Sequence, residues 1–166
     1  MVRVYVGTYA KYNAGSLKGA WLDLEKYSDK DDFIAACNAL HNDEVDPELM
    51  FQDHEDIPKG MIGESYIRED VWGWLAMDED DRELLTVYRQ INQDADLDDA
   101  RDHFWGRAGS PKAFAEEYAE QGGMTEKIPQ ELLYCIDWQA YADSLDNEGW
   151  YFIQTEVGKD YWIFNP

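Results

Sequence analysis

Asp94, Asp96 and Asp98 stand at positions 1, 3 and 5 of a calcium-loop pattern, the first chemistry that a carboxylate-rich chain invites. The pattern stops there. Position 6 is Asp99, where the turn needs glycine, and position 12 is Trp105, where a bidentate glutamate is needed. His41, His54 and His103 lie far apart, with no HExxH and no second ligand three or four residues away, so transition-metal chemistry has no support and they read as surface or satisfied histidines. A nucleophile elbow, a phosphate loop and a dinucleotide fingerprint are all absent. A glycosidase-like carboxylate pair has no positive signal, although sequence cannot measure the separation of two acids. The expectation is no catalytic residue, no metal and no cofactor.

What remains is charge. The 166 residues carry 14 Lys and Arg against 36 Asp and Glu, a net charge of −22. Residues 1–60 hold 6 basic and 12 acidic side chains, 61–103 hold 4 and 13, and 104–166 hold 4 and 11, so the excess is no appended tail. A surface this anionic excludes direct nucleic-acid binding. Hydrophobic residues at 45% and aromatics at 14% exclude a disordered acidic segment and weigh against salt adaptation.

Asp78-Glu79-Asp80-Asp81 suits a helix start, where acids gain about 0.3–1 kcal/mol from the macrodipole. That account does not reach Asp94, Asp98 and Asp102, whose four-residue spacing on a helix face costs about 0.2–0.5 kcal/mol per like-charged pair. A whole-chain excess points instead to a partner with a large basic cleft, and clefts that hold DNA are the most basic common kind. At about one charge per 1.7 Å of duplex, −22 corresponds to roughly 37 Å of DNA, and a dimer to roughly 75 Å.

The elements that must hold these acids follow from periodicity and punctuation. Val2 to Tyr9 and Leu17 to Leu24 read as an antiparallel hairpin across the turn-forming 11–16 stretch. Ser28 with Asp31 resembles a capping box before the helical spacing of Phe33, Ala36, Cys37 and Leu40. Leu49 to His54 reads as a third strand. Ser65 to His103 is helical throughout, as three short helices. Ser110-Pro111 starts a helix that Gly122-Gly123 stops, and Pro129 opens another through Leu145. Trp150 to Thr155 and Asp160 to Phe164 form a closing hairpin around Val157-Gly158-Lys159. Cys37 and Cys135 sit in apolar periodic stretches and read as reduced core residues. The fold class is α+β, in three segments: 1–60, an α+β N-terminal domain; 61–105, an acidic all-helical middle; and 106–166, an α+β C-terminal domain. With no leader pattern and no run near 18 apolar residues, the chain is expected to be soluble and cytoplasmic, with no membrane partner.

Several blocks resemble a known family. Val4-Tyr5-Val6-Gly7-Thr8-Tyr9 and Lys11-Tyr12-Asn13-Ala14-Gly15-Ser16-Leu17-Lys18-Gly19-Ala20-Trp21-Leu22 are similar to the N-terminal signature of the ArdA antirestriction proteins. The block from Ile128-Pro129-Gln130-Glu131-Leu132-Leu133 through Trp138 to Ala142 is similar to their late signature. Asp98 to Asp102 and Ser110 to Glu120 resemble the family's acidic helical stretch, whereas 43–90 match least.

The resemblance implies a non-enzymatic DNA mimic, carried on mobile elements. It would occupy the DNA-binding groove of type I restriction-modification enzymes, on their methyltransferase core, and block restriction and often methylation. It also implies an elongated three-domain protomer that forms a homodimer through its C-terminal domain. The acidic surface expected to meet the partner comprises Glu69, Asp70, Asp78, Glu79, Asp80, Asp81, Glu83, Asp94, Asp96, Asp98, Asp99, Asp102, Glu116, Glu117 and Glu120. Leu133, Ile136 and Trp138 are the expected dimer contacts. The alternative from another class is an acidic regulatory module for a different basic DNA-binding protein; a hydrolase with a hidden carboxylate pair is a third.

Overall fold

The computed structural model describes residues 1–155 and 158–166. Its mixed α+β chain divides into two compact units, Met1–Asp94 and Ala95–Pro166.

In the first unit, β1 (Arg3–Thr8) leads into α1 (Tyr9–Asn13) and β2 (Ala20–Asp23), followed by α2 (Lys30–Leu40) and β3 (Leu49–Glu55). The sheet order is β2-β1-β3, antiparallel throughout, so the two N-terminal strands and the third strand stand as the sequence indicates. Val2, Val4 and Val6 alternate into the core with at most 4% exposure, the period of two expected of a half-buried strand. The link between β1 and β2 begins as a one-turn helix rather than an open turn, because Thr8 caps α1 and Gly15 adopts a positive φ of 77° just beyond it. The cap of α2 lies one residue later than expected: Asp29 accepts from the Asp32 amide, while the Asp32 carboxylate takes the Ser28 amide. Phe33 of α2 is fully buried between Tyr27, Phe51 and Trp72, with ring centroids 5.4–6.0 Å apart.

Next come β4 (Ile62–Gly63), β5 (Tyr66–Ile67), α3 (Val71–Leu75) and α4 (Glu79–Tyr88). Here the all-helical expectation for the middle of the chain is corrected. Residues 62–67 fold as a two-stranded hairpin in which the Tyr66 ring lies where a side chain on Gly63 would project. Ile62 and Ile67 point inward, and this close approach is possible only over glycine.

The second unit contains α5 (Leu97–His103), β6 (Phe104–Ala108), α6 (Pro111–Gln121), α7 (Gln130–Leu133), α8 (Trp138–Asn147), β7 (Tyr151–Gln154) and β8 (Tyr161–Phe164). Its sheet has the order β6-β8-β7. The β7/β8 hairpin forms as expected; Val157 of its anticipated turn lies outside the described residues. Strand β6 went unread because Phe104 falls on the helical period of Leu97 and Ala100. Gly106, at φ 155°, carries a register irregularity in the β6–β8 pairing. Ser110 accepts from the Ala113 amide and Pro111 opens α6, matching the anticipated start, and Gly122 follows its end. Phe114 is fully buried against Trp105, Tyr118, Trp150 and Phe152, with centroids 4.8–5.5 Å away.

The helix expected from Pro129 to Leu145 is two helices, because Asp137 turns out of helical geometry and caps α8 through the Gln139 and Ala140 amides. That break moves Cys135 from the expected core position to an exposed turn, whereas Cys37 is buried and burial pushes its thiol up to about 12. A thiol reagent should therefore label one cysteine rapidly in the native chain and the second only on unfolding; two rapid equivalents would place Cys37 outside the core. Among the described residues no helix is long and apolar enough to cross a membrane.

Candidate partner-binding surface

Thirteen of the fifteen anticipated surface acids are exposed, the exceptions being the half-buried Asp70 and Asp81. Exposure alone does not make them equivalent, because several hold the fold together.

In the first unit Asp78 caps α4 by accepting from the Asp81 amide at 2.9 Å, with Glu79, Asp80 and Asp81 in the first turn, as the helix-start reading anticipated. Glu79 and Asp80 are left facing water. Glu69 meets Lys30 at 3.2 Å. Asp70, half-buried, is tied to two arginines of its own unit. Its Oδ2 takes the Arg89 guanidinium at 2.7 Å, and Arg68 forks onto both its oxygens at 3.0 and 3.1 Å. Arg89 is only 3% exposed. Burial opposes ionisation of Asp70, but the hydrogen bonds from Arg89 and Arg68 outweigh it and hold the carboxyl below the usual range. Arg68 also reaches Asp94 at 2.8 Å; Asp94 precedes the Asp96 cap of α5 and so does not extend the helical row expected of Asp94, Asp98 and Asp102.

In the second unit Asp96 caps α5 and Asp99 reaches back to the Asp96 amide, a reciprocal box at 2.9 and 3.2 Å. Asp98 and Asp102 stand one turn apart on this helix and are both exposed, with Arg101 4.0 Å from Asp98. Along α6, Glu116, Glu117 and Glu120 are exposed, and Glu117 accepts from Gln121 at 2.9 Å. Glu116 and Glu120 also line a cavity of about 200 Å³ with Leu133, Tyr134 and Trp138. Beside it an apolar face is open to water: Leu132 is 54% and Tyr134 87% exposed, while Leu133, Ile136 and Trp138 are half-buried.

A cation-centred cluster in the first unit escaped the sequence reading. Lys11 of α1 places its Nζ 2.9 Å from His41 Nδ1, 2.8 Å from Asp43 Oδ1 and 2.9 Å from Glu44 Oε1. Lys18 adds a contact to Asp43 at 3.1 Å, and Thr8 donates to Glu44 at 2.7 Å. The signal is His41-x-Asp43-Glu44, which corrects the expectation that no second ligand stands three or four residues from a histidine: Glu44 does. Hydrogen bonds from Lys11 and then Lys18 hold the Asp43 carboxyl well below its usual range, and those from Lys11 and Thr8 lower that of Glu44. Both groups bind protons more weakly when folded than when unfolded. Their stabilisation is thus complete above about pH 4.5 and is lost as the pH falls through the lowered folded values. In Asp43→Asn, the melting temperature should decline less steeply between pH 5 and 2 than in the parent; parallel curves would remove Asp43 from the linkage.

No curated protein matches the chain closely enough to serve as a relative. The sequence profile of the antirestriction protein (ArdA) family matches residues 4–158, nearly the full length and spanning the acids of both units. With this coverage, the chain belongs to the ArdA family of antirestriction proteins, which places its role in opposition to restriction-modification enzymes.

Proposed function

We propose that this protein inhibits type I restriction-modification enzymes by occupying the groove of their methyltransferase core in place of DNA, so that both cutting and modification are blocked. The observation that carries this reading is the dispersal of exposed carboxylates over both units of a family member: Glu79 and Asp80 in one, Asp98, Asp102, Glu116 and Glu120 in the other. A groove that gains affinity by neutralising phosphates can neutralise carboxylates in their place, and the contacts are many and individually small. Within this proposal, residues 1–60, 61–105 and 106–166 serve as an N-terminal domain, an acid-bearing middle and a dimerisation end. The exposed apolar face around Leu133, Ile136 and Trp138 supports the homodimer, because an aliphatic and aromatic patch in so charged a chain is best covered by a second copy.

The test is a competition titration of a type I methyltransferase core and its labelled duplex at about 0.15 M salt. Stoichiometric displacement of the duplex is expected. No displacement at large excess, by folded protein and with more than one such enzyme, would reject the reading in favour of a regulatory module for another basic protein. For the dimer, Leu133→Asp is expected to halve the mass measured by light scattering. An unchanged mass in Leu133→Asp and Ile136→Asp alike would place the interface elsewhere.

A further inference from the structure

We propose that His41, Asp43 and Glu44 form a cation site whose resident is the chain's own Lys11 ammonium, and that removing this ammonium leaves a site for a divalent transition-metal ion. This inference is independent of how the acidic surface is used.

The geometry is that of a coordination sphere. One ligand atom from each of the three residues falls within 4.8 Å of the others, close enough to share a single ion. The Lys11 nitrogen sits among them at 2.8–2.9 Å from all three. An ammonium has three hydrogens to give and accepts none, so the three acceptors match its capacity. It follows that His41 Nδ1 must be the accepting nitrogen. The ring proton then lies on Nε2, which donates to the Val6 carbonyl at 3.3 Å. A neutral imidazole with one nitrogen on a cation and the other fixed by a backbone carbonyl is the arrangement that orients metal-bound histidines. Glu44 is steadied in the same way by the Thr8 hydroxyl.

The donor set of one imidazole and two carboxylates suits zinc or cobalt better than calcium or magnesium, which favour all-oxygen shells. Metal bonds of about 2.0–2.2 Å require the three groups to contract by less than 1 Å each. Asp43, the most exposed of them, has room to do so. In the native chain the Lys11 ammonium fills this space. The 41–46 loop is thereby latched to β1 and α1, 30 residues earlier in sequence, without recourse to a metal.

The experiment compares native full-length protein, Lys11→Ala and Lys11→Ala/Asp43→Asn by thermal unfolding after chelator treatment, then with added Zn2+ or Co2+. Lys11→Ala is expected to melt several degrees below the native chain. Added Zn2+ should raise its midpoint progressively with the logarithm of metal concentration. Co2+ should give the visible absorption of a bound ion in Lys11→Ala, and none in the native chain or the double variant. Native-like stability of Lys11→Ala, a destabilised Lys11→Ala that neither ion restores, or an equal metal response in all three proteins would each overturn the proposal. Should Lys11→Ala fail to fold, the native chain still decides through its imidazole 15N spectrum. An Nε2-protonated His41 is expected, and an Nδ1-protonated ring would overturn the assignment of Lys11 as the resident cation.

Discussion

Converting Glu79, Asp80, Asp102, Glu116 and Glu120 together to their amides is expected to weaken competition with duplex DNA by about ten- to a hundred-fold. Exposed ion pairs contribute roughly 0.2–1 kcal/mol each, so five lost contacts amount to about 1–5 kcal/mol if all of them meet partner cations, and ten- to a hundred-fold is the lower half of that range. These five acids are exposed and none supplies a helix cap, which separates them from Asp78, Asp96 and Asp99. The substitutions should lower the melting temperature only slightly, because relief of the repulsion between Glu116 and Glu120, one turn apart on α6, partly offsets the loss of Glu79 and Asp80 from the first turn of α4. The same variant should compete with a shallower dependence on salt. Undiminished competition by the quintuple variant, in a titration that resolves a threefold change, would remove these acids from the contact surface. Single changes among the five should be close to silent, since each falls within threefold or so of the parent.

Asp70→Ala is expected to have the largest effect on stability, and for a reason unrelated to the partner. It would remove the counter-charge 2.7 Å from the Arg89 guanidinium, which is 3% exposed. Breaking a fully buried pair costs about 3–5 kcal/mol; with the Asp70 side chain 39% exposed, about 2 kcal/mol is the appropriate figure. Arg68 would lose its fork as well and keep its contact with Asp94. A urea titration following the aromatic signal should show a lower midpoint with the same slope, and Asp70→Asn should fall between alanine and the parent. A midpoint within error of the parent would mean that Arg89 is stabilised without Asp70. The pair of experiments distinguishes a loss of partner binding from a loss of stability within the first unit.

The contrast between Asp70 and its neighbours marks what a sequence can and cannot express. Ser110-Pro111 and Gly122-Gly123 delimited α6 because capping is a local matter, settled within one turn of chain. The alternation of Val2, Val4 and Val6 gave β1 for the same kind of reason. Strand β6 was missed because its pairing partner β8 lies more than 50 residues away, and Phe104 keeps helical time until Gly106 interrupts it. Hairpin 62–67 depends on a ring resting over Gly63, a contact that no period encodes. The candidate surface divides likewise. That the acids are exposed follows from composition, whereas the contacts of Asp70 with Arg89 and of Asp94 with Arg68 required pairings across 19 and 26 positions. Lys11 with His41 is the same lesson at a separation of 30.

The helix starts carry one further implication. Asp29, Asp78, Asp96 and Asp137 cap α2, α4, α5 and α8, yet Ser110 performs the same service for α6 and Thr8 for α1. A hydroxyl or an amide oxygen would accept those amide hydrogens nearly as well as a carboxylate does. Each capping aspartate is therefore a position at which the net charge of the molecule moves by one while its architecture stays put. Four such positions let the electrostatic strength of the whole chain be tuned in graded steps by Asp→Ser exchange.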